Sequence, residues 1–454
     1  MTQRLHATSA LLRSGWASDV AIDIDARGVI VAVTPNARDA IAERLAGPAI
    51  PAMPNVHSHA FQRALAGRTG RATNRDDSFW TWRDAMYAFL ARVDADAFGA
   101  IAAQAYVEMA KAGYASVAEF HYVHHDVDGR AYADPAELAW RIANAARDAG
   151  LALTLLPVFY AHGDFGGVPP AAQQRRFVHS IDGFARLLSA LIDDAAKRNY
   201  VVGIAPHSLR AVMEDELATL VRLAPKNSPL HIHAAEQARE VDDCIKAYGM
   251  RPIEWLVDHA GVDARWCIVH ATHMTGHETS ALAQSGAVAG LAPTTEADLG
   301  DGIFPAHAYV DAGGALAVGS DSNTIIDPFA ELRQLEWSQR LLLRRRNVLA
   351  NGDTSVGTSL WARAALGGAQ ALAQRTGAIE VGRRADIIVL DSSDPALVEQ
   401  EPCDILDAAI FGPCRRPVRD LMVGGRWIVR DGAHAREAEV SARYRDALRA
   451  LETQ

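Results

Sequence analysis

The chain has 454 residues, too many for one ordinary core and about right for a barrel of ~250 residues with insertions and a smaller satellite unit. Hydrophobic residues at 49% and charged residues at 22% exclude a disordered chain. A net charge of −10 excludes nucleic acid as a partner unless a local basic patch overrides the overall field, and the one basic run, Arg344 to Arg346, reads as a solvated helix face.

In chain order, the N-terminal MTQRLHATSALLRSGW holds no signal-length apolar run, and nothing approaches ~18 consecutive apolar residues. The expectation is a soluble, cytoplasmic protein without membrane association. Residues 1–50 contain short alternating runs such as VAIDIDARGVIVAVTP, with Gly28 between two strand-like segments. Residues 375–454 have the same texture, in AIEVGRRADIIVLD and RDLMVGGRWIVRDG, where Gly424 and Gly425 mark a tight turn. The two ends are predicted to pair into one small β-sandwich domain, joined by a C-terminal helix.

Between them, residues 51–374 alternate short apolar runs with Ala- and Leu-rich helical stretches, the pattern of βα units on a parallel sheet. Eight such runs are present: 49–59, 115–123, 151–160, 200–209, 229–236, 266–273, 287–293 and 315–322. Eight is the number of a (β/α)8 barrel, an α/β fold, and nearly every run ends in His, Asp, Glu or Tyr, where barrel chemistry sits. The cysteines (Cys244, Cys267, Cys403 and Cys414) show no Cys-x-x-Cys spacing and read as structural thiols in a reducing compartment.

His57 and His59 end the first run two residues apart, so a strand points both imidazoles to one face. Alone, such a pair also fits two separately bonded histidines. His233 closes the fifth run, with His231 behind it as a packed barrel histidine, and Asp321 closes the eighth, where an unpaired carboxylate is costly to bury. Three imidazoles and a carboxylate with a position left for water make a catalytic metal set, expected to hold one zinc ion or another divalent metal. Such a metal brings its water to a pKa of about 7, and Asp321 can take that water's proton.

Glu236, three residues beyond His233, is placed to shuttle a proton, although a helix N-terminal acid is the plainer alternative. His270 ends the sixth run and faces the open position, where it can stabilise forming charge. Gln62, Arg83, Tyr122, His207 and Arg210 fall just after strand ends or in the first loop, and two arginines suit capture of carboxylates. A small anionic substrate is the expected partner.

These segments resemble the amidohydrolase superfamily and, within it, the formimidoylglutamate deiminases (N-formimino-L-glutamate iminohydrolases) of histidine degradation. The resemblance is carried by PNVHSHAFQRALAG, DSFWTWRDAMY, AEFHYVHHD, PHSLRAV, HIHAAEQARE, WCIVHATH, TTEADLGDGIFPA and GSDS. It implies a single zinc on His57, His59, His233 and Asp321, catalysis by Glu236, His270 and Asp321, and substrate contacts from the five residues above. It also implies hydrolysis of N-formimino-L-glutamate to N-formyl-L-glutamate and ammonia, by a homodimer. Binuclear members use a carboxylated lysine on a middle strand, and LALTLLPVFY and YVVGIAPHSL contain none. The departure from the family pattern begins at Asn323, where a histidine is expected, and runs through Pro328. The alternatives are a ring-amine deaminase of guanine, cytosine or adenosine type and, more remotely, a non-catalytic barrel scaffold.

Overall fold

A computed structural model of the protein describes residues 3–37, 42–70 and 77–453. Its centre is a barrel of parallel strands, Met53–Ser58, Tyr114–His121, Ala152–Phe159, the split pair Val201–Val202 and Ala205–Pro206, Leu230–Ala234, Trp266–His270, Val288–Leu291 and Ala315–Val318. Two four-stranded halves close on each other through bridges from Ser58 to Asp321 on one seam and from Ile204 to Leu230 and Ser208 to His233 on the other. The strands are apolar runs because helices cover one face and the barrel interior the other, so Met53–Ser58 and Tyr114–His121 are buried along their whole length. Each of the eight predicted runs supplies a barrel strand.

The connecting helices carry their own start and stop signals. In Ala95–Ala112, the Asp94 carboxylate accepts the Ala97 N–H at 2.8 Å, and Gly113 ends the helix in the left-handed region at φ +101°. The helix Val356–Ala371 and the residue after it touch the strand starts, away from the functional rim. There Trp361 Nε1 donates to the Pro51 carbonyl at 2.9 Å, Thr154 Oγ1 donates to the Leu372 carbonyl at 2.9 Å, and His231 Nε2 donates to the Ala371 carbonyl at 2.8 Å.

The first predicted run divides. Ala49–Pro51 leaves the barrel and pairs with Gln3–Leu12 and Ile387–Leu390, and Ala52 separates it from the barrel strand. It thereby enters a sheet built from both ends of the chain, ordered Ala433–His434, Arg426–Arg430, Val418–Val423, Ile387–Leu390, Ala49–Pro51, Gln3–Leu12, Gly15–Ile24 and Ile30–Thr34, with Glu43–Arg44 beside Gln3–Leu12. Gly424 and Gly425, at φ +55° and +74°, form the two-residue turn between Val423 and Arg426. The sheet rolls far enough for Val29 to bridge Arg384, over a core of Leu5, Val20, Ile22, Ile387 and Met422.

The C-terminal helix Glu437–Glu452 packs against Ala95–Ala112 of the barrel layer, with Ser441 Oγ donating to Gln104 Oε1 at 3.1 Å. The basic run is not a helix face: the helix Pro328–Leu343 stops before it, and Arg344 turns the chain at φ +54° with all three arginines exposed. The four cysteines are free thiols. Among the described residues no helix is long and apolar enough to cross a membrane.

Candidate metal centre and active site

His57 and His59 come from the end of the first barrel strand, His233 from the fifth and Asp321 from just beyond the eighth, and all four side chains are buried. Their donor atoms converge. His57 Nε2 lies 3.1 Å from His59 Nε2 and 3.0 Å from His233 Nε2, and Asp321 Oδ1 lies 3.5 and 3.4 Å from Nε2 of His57 and His59. Donors held about 2.0–2.2 Å from one ion stand roughly 3.0–3.5 Å apart, so the spacing is that of a ligand set.

Tautomers make the case stronger. His59 Nδ1 lies 3.0 Å from the Phe120 carbonyl and His233 Nδ1 lies 3.0 Å from the His207 carbonyl. A carbonyl only accepts, so both Nδ1 atoms carry the hydrogen and both Nε2 atoms present lone pairs. Burial holds these imidazoles neutral, with His59 pushed down to about 3 and His57 and His233 well below the usual range. Lone pairs aimed at one point beside a carboxylate fit a cation there.

The strand ends bend sharply to aim these groups. Ala235, His270, Ala271 and Asp321 have φ between +41° and +68°, outside the regions that non-glycine residues favour. Gly319 precedes the Ser320–Asp321 bend because a Cβ there would stand 2.6 and 2.7 Å from the His57 backbone N and O. Glycine therefore lets the eighth strand lie against the first.

His270 is surrounded by carboxylates. Its Nδ1 lies 3.3 Å from Glu296 Oε1, and its Nε2 lies 3.6 Å from Glu236 Oε1 and 3.9 Å from Asp321 Oδ2. Burial alone would deprotonate it, but Glu236, Glu296 and Asp321 reverse that and raise it to about 10. Burial raises Asp321 to about 7 despite the attraction of His270. Asp301 shares the Glu236 and His270 cluster, and burial with the Glu236 charge lifts it to about 9.

The same pocket is lined by all five predicted substrate residues, together with Phe79, Trp82, Tyr87, Tyr160 and Phe177. Gln62 Nε2 donates to Tyr122 Oη at 3.0 Å while Gln62 Oε1 has no partner. Arg83, on the helix Phe79–Leu90, stacks over Trp80 at 4.6 Å and leaves its Nε unpaired. Arg210 is mostly buried, with its Nη2 3.9 Å from both Glu236 Oε2 and Glu240 Oε2, and its Nε is unpaired. Burial opposes that charge, and Glu240 and Glu236 more than restore it. His207 packs on Tyr160 with ring centroids 4.7 Å apart.

Several groups at this site escape a reading by strand ends. Glu119 lies inside the second strand, accepts the Ala60 N–H at 2.8 Å and the Tyr106 hydroxyl at 3.0 Å, and burial raises it to about 7. Glu240 accepts the N–H groups of Ala235 and Glu236 at 3.2 and 3.3 Å. Glu296 and Asp301 complete the His270 surround. A polar residue within a fully buried strand was the available signal for Glu119; Glu240 stands one helical turn past Glu236.

The model of the amidohydrolase family matches residues 49–428. The chain belongs to the amidohydrolase family. A second model, for the N-terminal domain of the formimidoylglutamate deiminase HutF, matches residues 2–47. Among relatives in the family, the formimidoylglutamate deiminase of Pseudomonas aeruginosa is 51% identical over 440 residues, covering 97% of each chain. A 5-methylthioadenosine/S-adenosylhomocysteine deaminase of Halobacterium salinarum is 27% identical, covering 96% of this chain and 93% of its own. Among solved structures, an amidohydrolase from Brucella melitensis superposes with a TM-score of 0.94 at 45% identity over 99% of both chains. An adenosine deaminase from Xanthomonas campestris, described with bound zinc, shares the fold at a TM-score of 0.81 and 23% identity over 100% of this chain and 99% of its own.

Proposed function

We propose that this amidohydrolase hydrolyses N-formimino-L-glutamate to N-formyl-L-glutamate and ammonia, in the degradation of histidine. The observation that carries the reading is the pairing, in one pocket, of a converging imidazole–carboxylate set with two arginines whose Nε–H groups are buried and unpaired. The 51% identity to a formimidoylglutamate deiminase along nearly the whole chain points to the same substrate. A ring-amine deaminase has less use for two arginines, and the relatives of that kind are more distant.

In this reading His57, His59, His233 and Asp321 hold a divalent ion, zinc being the one that suits an imidazole and carboxylate set. Bound there, the ion supplies the Lewis acidity that makes water a competent nucleophile near neutral pH. Arg83 and Arg210 take the two substrate carboxylates, with Gln62, Tyr122 and His207 completing the contacts, and so hold the formimino carbon over the cluster. The water oxygen bonds to that carbon and the bond to the terminal nitrogen breaks. Asp321 receives a proton of the attacking water, and Glu236 carries protons to the departing nitrogen, so that both water protons leave with ammonia. His270, protonated among its three carboxylates, donates to the charge that forms at carbon's new oxygen.

All of these residues fall between 57 and 321, which supports residues 51–374 as the catalytic barrel and residues 1–50 and 375–454 as a supporting domain. A cytoplasmic homodimer belongs to the same reading. Four unpaired thiols support the compartment, and the exposed Trp337, Leu341 and Leu342 offer apolar surface for a second copy. The test is ammonia release from N-formimino-L-glutamate by the purified protein, by the chelated protein and after zinc return. Activity should vanish and reappear; no release with metal restored overturns the substrate.

A further inference from the structure

We propose that Asn323 is a positioning residue for the metal centre, bracing the barrel seam on which three of the four ligands sit. It is fully buried, at φ +56°, two residues past Asp321. The seam itself is narrow: the Asp321 N–H donates to the His57 carbonyl at 2.9 Å and the His59 N–H donates to the Asp321 carbonyl at 3.0 Å. Asn323 Nδ2 adds bonds to the His59 carbonyl at 3.0 Å, the Asp321 carbonyl at 3.0 Å and Ser58 Oγ at 3.2 Å, sharing two hydrogens among three acceptors.

The orientation of that amide is dictated by a chain of donors. Asn55 Oδ1 accepts the N–H groups of Ser320 at 3.1 Å and His57 at 3.3 Å, so Asn55 Nδ2 must donate to Ser320 Oγ, at 2.7 Å. The Ser320 hydroxyl then has only Asn323 Oδ1, at 2.7 Å, for its hydrogen. Every polar atom of the Asn323 side chain is thus committed, and its donors all face the backbone or hydroxyl of residues 58, 59 and 321. Carbonyls and a hydroxyl on that side leave no room for a carboxylate. The bonds fix where His59 and Asp321 leave the backbone, which in turn sets how far apart their donor atoms stand.

This rests on the reading that His57, His59, His233 and Asp321 hold metal. The experiment measures zinc affinity of the full chain by chelator competition at 25 °C, with the melting temperature in parallel. Asn323→Asp keeps the shape and removes the donors, and should weaken zinc by about 10–100-fold, with Asn323→Ala in the same direction. Ser320→Ala keeps the amide but frees its orientation, should give a smaller loss, and carries the test if the Asn323 variants do not fold. Folded variants that bind zinc within about twofold of the unsubstituted protein, with only a lower melting temperature, overturn the positioning role. An unsubstituted protein that takes up no zinc overturns the metal reading and this inference with it.

Discussion

Around the proposed metal site, His59 and His233 each engage their second nitrogen with a backbone carbonyl, whereas across the pocket Arg83, Arg210 and Gln62 each keep a buried polar atom without a partner. His57 Nδ1 is the exception on the first side. The contrast separates two kinds of preparation. On the ligand side, the bonds of His59 and His233 to backbone carbonyls fix two of the rings before anything binds. The substrate side holds desolvated polar atoms, two guanidinium donors and one amide acceptor, whose cost is recovered only when a polar ligand with anionic groups fills the pocket.

The sharpest attack on the ligand side is Asp321→Asn, which keeps the shape but removes both a ligand charge and the proton acceptor. It should lower kcat by about 10²–10⁴-fold; a variant with ordinary kcat removes Asp321 from the chemistry. Acid tests the same side without mutation, because the arginines keep their charge. Histidines held neutral below their unfolded value of 6.5 add stability above that pH and lose it as pH falls toward their folded values, since the unfolded chain then binds more protons. His59, near 3, should therefore stay neutral in the folded, chelated protein at pH 5, where an unfolded histidine is mostly charged. Imidazole NMR shifts at pH 7 and pH 5 measure this, and a His59 ring that protonates between them contradicts it. On the substrate side, Arg210→Gln should raise KM by about 10–100-fold, the worth of a charged hydrogen bond, while kcat changes little. A fall in kcat at constant KM would place Arg210 in catalysis instead.

The strand count was legible because burial on both faces writes each strand as an apolar run and the rim writes a polar residue at its end. That is how His57, His59, His233, His270 and Asp321 could be singled out. Ala49–Pro51 was not separable from Met53–Ser58, since both are buried extended segments and only their different hydrogen-bond partners, remote in sequence, distinguish them. Glu119 and Glu240 were hidden for a related reason. Their work is done on backbone N–H groups and on Arg210, contacts that no sequence spacing encodes. The Asn55–Ser320–Asn323 chain spans a separation of 265 residues between Asn55 and Ser320 and has no local signature.

The mixed parentage of the terminal sheet has a consequence for how the molecule is made. The hairpin of Gln3–Leu12 and Gly15–Ile24 is local and can form early, but Ala49–Pro51 finds its second neighbour only when Ile387–Leu390 has been synthesised. Until then the segment leading into the first barrel strand presents an open strand edge, a surface on which nascent chains can pair wrongly. Sheet completion is therefore a late, long-range event, with the slow closure that such separations impose. Lowered temperature during synthesis should favour recovery of native protein more than any change at the rim.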